Sequence, residues 1–162
     1  MENWKILDDQ VADAAWRFIF SELHFSPYIH EKKITVGSAF PNTTFDISKF
    51  YNGGFSEQAY EELHKVSIWW FKDIAVNERV FALKWQQTSF SFTPSLPFEL
   101  DEFGEWFVPM FPNGDYEFFL SPDFCNGIFA DGISFKITFW GRKMIDSLKI
   151  HFPTMFTGNE VV

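Results

Sequence analysis

Apolar and polar residues alternate most regularly near the end of the chain, where Ile133, Phe135, Ile137 and Phe139 interleave with Ser134, Lys136 and Thr138. A period of two places the two sets on opposite faces of a β-strand, one buried and one wet. Gly127 to Ala130 reads as its hairpin partner across Asp131-Gly132. A second turn signal, Asn113-Gly114, stands between two apolar runs in WFVPMFPNGDYEFFLS, from Trp106 to Ser121. Both residues tolerate the positive φ of a type I′ turn, which predicts two antiparallel strands with Phe111 opposite Tyr116, Pro109 opposite Phe118 and Phe107 opposite Leu120. That face is apolar throughout. The other carries Trp106, Val108, Met110 and Phe119 with Glu117 and Ser121, a mixture that fits either a binding surface or a face covered by another element.

Further strands precede this region. Arg79 to Pro94 has strand character, but Phe81, Leu83 and Trp85 share one parity while Phe90 and Phe92 share the other. The change predicts a bulge or break near Gln86 to Ser89, or two strands joined by a tight turn. Thr43 to Ile47 reads as a short strand closed by Asn52-Gly53-Gly54.

Helical spacing appears three times. Asp8 or Asp9 caps a helix reaching about Leu23, with Val11, Ala15, Trp16, Phe18, Ile19 and Leu23 on a wide apolar face. Ser56 caps a second, with a staple between Phe55 and Tyr60 and a stripe of Tyr60, Leu63, Ser67, Trp70, Phe71 and Ile74. Trp69 falls beside that stripe. A short third helix, Arg142 to Ile150, buries Ile145 and Leu148 and stops before Pro153, leaving residues 154–162 as a frayed tail. The whole is a single α+β domain over residues 1–162: an antiparallel five- to six-stranded meander sheet, two helices in the N-terminal half and one short C-terminal helix, with the helices on one sheet face.

Composition narrows the function classes. The formal charge of −9, from 22 acidic against 13 basic residues, opposes binding to nucleic acid or an anionic membrane and favours a basic partner or plain solubility. Cys125 is the single cysteine, which excludes an intrachain disulfide and a multi-cysteine metal site. The first residues lack the basic start and apolar run of a signal peptide, and no stretch reaches the length of a membrane span, so a cytoplasmic location is expected.

Catalytic signatures are sparse. His24, His30, His64 and His151 lie in different elements without ligand spacing, and His64, beside the second helix's stripe, reads as a hydrogen-bonded structural histidine. No GxSxG elbow, phosphate loop or dinucleotide fingerprint is present, and Cys125 reads as an ordinary thiol. Asp115 and Glu117 flank the Asn-Gly turn and Asp101, Glu102 and Glu105 crowd the loop before it, an arrangement of paired acids open to metal binding or acid–base work, with Asp115 read first as a turn residue and the loop first as a solvated one. The expectation is therefore no catalytic set, no metal site and no cofactor. The residues placed at a partner-binding surface are Glu99, Asp101, Glu102 and Glu105 of the loop PSLPFELDEFGE, the hairpin residues Trp106, Val108, Met110 and Phe119, and Trp69.

The run FELDEFGEWFVPMFPNGDYEFFLSPDF, with ALKWQ and TFDIS before it, resembles the bacterial family known as domain of unknown function 2716, over most of the chain from Trp4 to Gly141. The resemblance implies a small cytosolic protein of bacterial or phage origin and brings no activity with it. Three readings follow: a non-enzymatic binding protein of immunity or inhibitor type acting on a basic protein; a small-molecule-binding domain or enzyme with an aromatic-lined pocket between sheet and helices; and a homo-oligomer that buries the mixed hairpin face against its own copy.

Overall fold

The computed structural model describes residues 2–27, 34–36, 40–51 and 56–161. His30, the Asn52-Gly53-Gly54 turn and the Phe55 half of the staple lie outside the described residues. Among the described residues seven strands form one antiparallel sheet: β1 (Lys5–Ile6), β2 (Asn42–Asp46), β3 (Val80–Lys84), β4 (Phe90–Phe92), β5 (Tyr116–Leu120), β6 (Gly127–Asp131) and β7 (Lys136–Trp140). Their order is β1-β4-β3-β5-β6-β7-β2, so β5 and β6 lie in the middle. The helices are α1 (Asp9–Ser21), α2 (Glu57–Ile74) and α3 (Arg142–Ile150). This is the expected α+β layout, with one strand more than the upper expectation.

Local chemistry accounts for the helix boundaries. Asp8 caps α1 by accepting the Gln10 N–H, and Ser56 caps α2 by accepting that of Ala59. The side chain thereby satisfies a donor that the first helical turn leaves unpaired. On α2 the stripe Leu63, Ser67, Trp70, Phe71 and Ile74 is buried as the spacing predicts, and His64 joins it. Phe71 packs 5.1 Å from Phe92 and 5.2 Å from Phe119, and Trp70 lies 5.0 Å edge-on from Phe139. On α3 the buried residues are Met144, Ser147 and Leu148, while Ile145 is only partly covered.

The helices do not share one face of the sheet. α2 and α3 cover the side that carries Phe45, Phe119, Ile128, Ile137 and Phe139, whereas α1 packs with Phe118, Phe129, Leu83 and Trp140 on the other. The wet face expected of the last strand is consequently absent. Thr138 is 9% exposed and shares a 2.8 Å hydroxyl contact with Thr44, and Trp140 is fully buried. A polar residue on a strand looks solvent-facing in sequence, yet a hydroxyl pair can be buried when each supplies the other's hydrogen bond.

Two turns differ from the expected pattern. The carboxylate of Asp131 accepts from the Ile133 and Ser134 N–H groups and the Ser134 hydroxyl, winding residues 132–135 into a loop with Phe135 at φ 56° and Ile133 turned outward. The alternation therefore begins at Lys136 rather than Ile133. Between β3 and β4 the parity change is a tight turn, with Gln86 at φ 58° and the Gln87 N–H donating to the Lys84 carbonyl.

The largest departure is the Asn113-Gly114 hairpin, of which only the second strand forms. Both edges of β5 are already taken, with Glu117 opposite Lys84 on one side and Ala130 on the other, so Trp106 to Pro112 has no ladder to join. Pro109 and Pro112 also lack the N–H that a ladder requires. Gly114 has φ 101° while Asn113 stays out of the positive region, so the type I′ geometry is not adopted.

The tail also behaves differently from expectation. Met155 and Phe156 are buried, Phe156 stacks 4.4 Å from Phe45, and the Asp46 and Val161 N–H groups bond to Asn159 and Thr44 carbonyls. Residues 159–161 thus cover the outer edge of β2, an edge that would otherwise present unpaired backbone groups.

Candidate functional site

Residues 105–115 form a strap across the α2 side of the sheet rather than a strand. Trp106, Val108, Met110 and Phe111 of this strap are buried, as is Phe119 beneath it. Trp106, Val108, Met110 and Phe119 are therefore core, and they leave the candidate surface. Their sequence pattern looked mixed because the strap buries residues individually against α2 and Trp4 instead of by strand parity.

Three polar anchors hold the strap. The Met110 N–H donates to Nε2 of His64 at 3.2 Å, and His64 Nδ1 lies 2.9 Å from the Tyr60 carbonyl. An imidazole that accepts at Nε2 and donates at Nδ1 is neutral. Burial lowers its pKa to about 4, which keeps it so. The Tyr51 hydroxyl donates to the Pro112 carbonyl, and Tyr51 stacks on Phe135 at 4.1 Å. Finally, Asp115 accepts from Gln87 Nε2 at 3.0 Å and sits 3.7 Å from Lys84 Nζ.

Under the strap lies Glu117, which is fully buried and has no hydrogen-bond partner for either carboxylate oxygen among the described residues. Burial raises its pKa to about 8, opposed by Lys84 and reinforced by Asp115 and Asp131. It is a proton-bearing carboxyl at neutral pH. The sequence placed it on the mixed face beside the turn but could not say that the face is covered, since that depends on the strap brought over it.

The acidic loop divides into structural and free members. Glu99 Oε1 accepts from the Glu2 and Asn3 N–H groups at 2.6 and 2.7 Å, and these bonds hold its pKa below the usual value. It clasps the start of the chain. Asn3 completes that clasp by bonding Thr93, Leu96 and Pro97, and the Asn3 carbonyl accepts from Arg79. Asp101 Oδ1 accepts from the Phe103 and Glu105 N–H groups, and its own N–H donates to the Glu105 carbonyl, which closes a small loop. At its tip Phe103 is 81% exposed, between exposed Glu102 and Glu105.

Across from this tip is the first part of α2. Glu57, Tyr60, Glu61, Phe103, Gly104 and Glu105 line a groove of roughly 540 Å³. Tyr60 and Glu105 also line an adjoining hollow of roughly 230 Å³, completed by Tyr51, Pro109, Phe111, Pro112 and Asn113. The two form one acidic, aromatic depression. Burial and the charges of Glu105 and Asp101 raise the Tyr60 pKa, and burial with the charge of Glu117 raises that of Tyr51. Both phenols thus keep their protons. Trp69 stands apart, half-exposed and stacked on His151 with Lys72 Nζ 4.8 Å over its ring. By helical rise it is about 12 Å further along α2 than Glu61.

Of the surface expected from sequence, Asp101, Glu102 and Glu105 come together, and the groove adds Glu57, Glu61, Tyr60, Tyr51 and Phe103. The signal available in sequence was Phe103 itself, one apolar residue between acids in a loop. Among the described residues no group of three or more His, Cys, Asp or Glu side chains could hold a metal ion, and no helix is long and apolar enough to cross a membrane.

Comparison with known proteins agrees with the sequence resemblance. The family model for protein of unknown function DUF2716 matches residues 6–145. An uncharacterized protein, YxiI, of Bacillus subtilis strain 168 is 30% identical over 161 residues, covering 96% of this chain and 98% of that relative. No solved structure gives a significant match. With a match over most of its length and a full-length relative at this identity, the chain belongs to the DUF2716 family of proteins of unknown function.

Proposed function

We propose that this protein is a non-enzymatic binding protein, of immunity or inhibitor type, that engages a basic protein through the groove between α2 and the loop carrying Phe103. The observation that carries the reading is Phe103, 81% exposed and surrounded by Glu57, Glu61, Glu102 and Glu105. A large aromatic held out in water is costly to leave uncovered and suits an interface anchor. The carboxylates around it would steer a cationic partner and reject an acidic one.

The test is affinity capture from the source organism with the wild-type chain and with Phe103→Ser and Glu105→Lys variants. One basic protein in stoichiometric amount, kept by the wild type and lost by both variants, is the expected result. Recovery of no such protein, or equal recovery by all three chains, refutes the reading.

A small-molecule role is the second reading, favoured by the hollow beside Tyr51 and by the proton-bearing Glu117. The homo-oligomer reading loses its motive, since the hairpin face on which it rested is covered within one chain.

A further inference from the structure

The hollow lined by Tyr51, Tyr60, Phe111 and Glu105 has a size and wall chemistry that narrow what can enter it. At roughly 230 Å³ it falls below the roughly 300–1,000 Å³ typical of sites for drug-sized ligands. A single side-chain head fits that space better than a cofactor. Its walls are aromatic rings and prolines, and its rim carries the exposed carboxylate of Glu105. Aromatic rings attract a cation through their quadrupole, and a carboxylate at the mouth pairs with it.

A second acid, Glu117, does not line the hollow but acts electrostatically on one of its wall residues. Tyr51 lines the hollow and also feels the charge of Glu117, whose carboxylate oxygens are buried without partners among the described residues. A buried carboxyl lacking any partner calls for an explanation, because burying it costs free energy that a leucine in its place would not. The charged groups around it are Lys84 on β3, Asp115 before β5, Asp131 on β6 and the Tyr51 phenol. Lys84 is already engaged by Asp115, so an ionised Glu117 would face a net negative site.

We propose that this hollow is the anchor pocket for a lysine or arginine side chain of the basic partner, with Tyr51, Tyr60 and Phe111 as its aromatic wall, Glu105 as the carboxylate at its mouth and Glu117 as a buried carboxyl, outside the lining, that feels the bound charge. The inference rests on the partner-binding reading of the groove and names the chemistry of the contact. Entry of a cation favours the ionised form of Glu117, so binding releases a proton. By the same linkage, affinity for the cation rises as pH increases through the range where Glu117 titrates.

The experiment is an NMR titration of the intact chain with the blocked amino acids N-acetyl-lysine amide and N-acetyl-arginine amide, with N-acetyl-norleucine amide as the neutral control. The cationic amides should shift Tyr51 and Tyr60 signals with millimolar affinity, and norleucine amide should not. Affinity should rise about tenfold between about pH 6 and pH 9, the effect of moving a neighbouring acid's pKa by one. Glu105→Gln, an exposed change that leaves folding intact, should weaken binding several-fold, and Glu117→Gln should abolish the pH dependence. Equal binding of norleucine amide, or no shift up to tens of millimolar cation, overturns the pocket. A pH-independent affinity overturns the role of Glu117. Capture of a basic partner in the absence of any cation effect would reject this inference alone, whereas cation binding without a protein partner would reject only the wider reading.

Discussion

Replacing Glu117 with glutamine should change how stability depends on pH far more than it changes the structure. In the unfolded chain a glutamate has a pKa near 4.5, and in the fold that of Glu117 is raised to about 8. Between those values the unfolded state has lost the proton and the native state still holds it. Because the native state binds more protons, stability falls as pH rises, by about 1.4 kcal/mol for each step of one in pH and about 5 kcal/mol across the whole window. Near neutral pH about 3 kcal/mol of that has been lost, a large share of the roughly 5–15 kcal/mol that holds a domain together. Below about pH 4.5 both states are protonated, and the group exerts no pH-dependent effect on stability there.

Glutamine keeps the volume and cannot ionise. Urea unfolding of wild type and Glu117→Gln at several pH values from about 4.5 to 9 should show the stability difference moving in the variant's favour by about 1.4 kcal/mol per pH step, then levelling above about pH 8. The difference between the two chains is the quantity to read, because His64 contributes a slope of opposite sign in the wild type and the variant alike. Parallel curves would refute the reasoning: they would mean that Glu117 ionises as readily in the fold as in water.

Four further outcomes are expected. His64→Leu should cost about 1–3 kcal/mol by leaving the buried Met110 N–H unpaired, and should remove a loss of stability that the wild type shows as pH falls from about 6.5 to about 4, both readable by urea unfolding. Tyr51→Phe deletes the bond to the Pro112 carbonyl, so equilibrium unfolding should show a loss of about 0.5–1.5 kcal/mol and strap amides should exchange faster. Gly141→Ala should be among the most damaging small changes, at about 1–3 kcal/mol or more, because φ is 97° and the new Cβ would lie 2.2 Å from the Cys125 carbonyl oxygen; a melting temperature equal to wild type would contradict it. Phe103→Ser should leave stability within about 0.5 kcal/mol in a thermal melt while removing partner capture, since its ring is almost wholly in water.

Much of the architecture was legible in the chain itself. The helix starts followed from the Asp8-Asp9 pair, of which the structure uses Asp8, and from Ser56, and the α2 stripe followed from spacing alone, because capping and amphipathic burial are decided within one or two turns. The turn between β3 and β4 announced itself as a change of parity. Even the structural role of His64 was readable from its place beside the stripe, although its partner on the strap was not.

Tertiary structure decided the rest, for a physical reason visible at Asn113-Gly114. That dipeptide fits a hairpin locally, but whether a strand forms depends on whether an edge is free, and β3 and β6 had already taken both edges of β5. The same long-range placement buried Glu117 without a partner, covered Trp106, Val108 and Met110, and raised Phe103 opposite Glu57 and Glu61. Sequence determined the three helices, most of the strands and the acidic balance of the chain, but not that Trp106 to Pro112 would stay out of the sheet. Only the folded chain determined which of those acids stay in water and that Glu117 and Asp131 are shut away from it, since desolvation depends on neighbours brought together from distant parts of the chain.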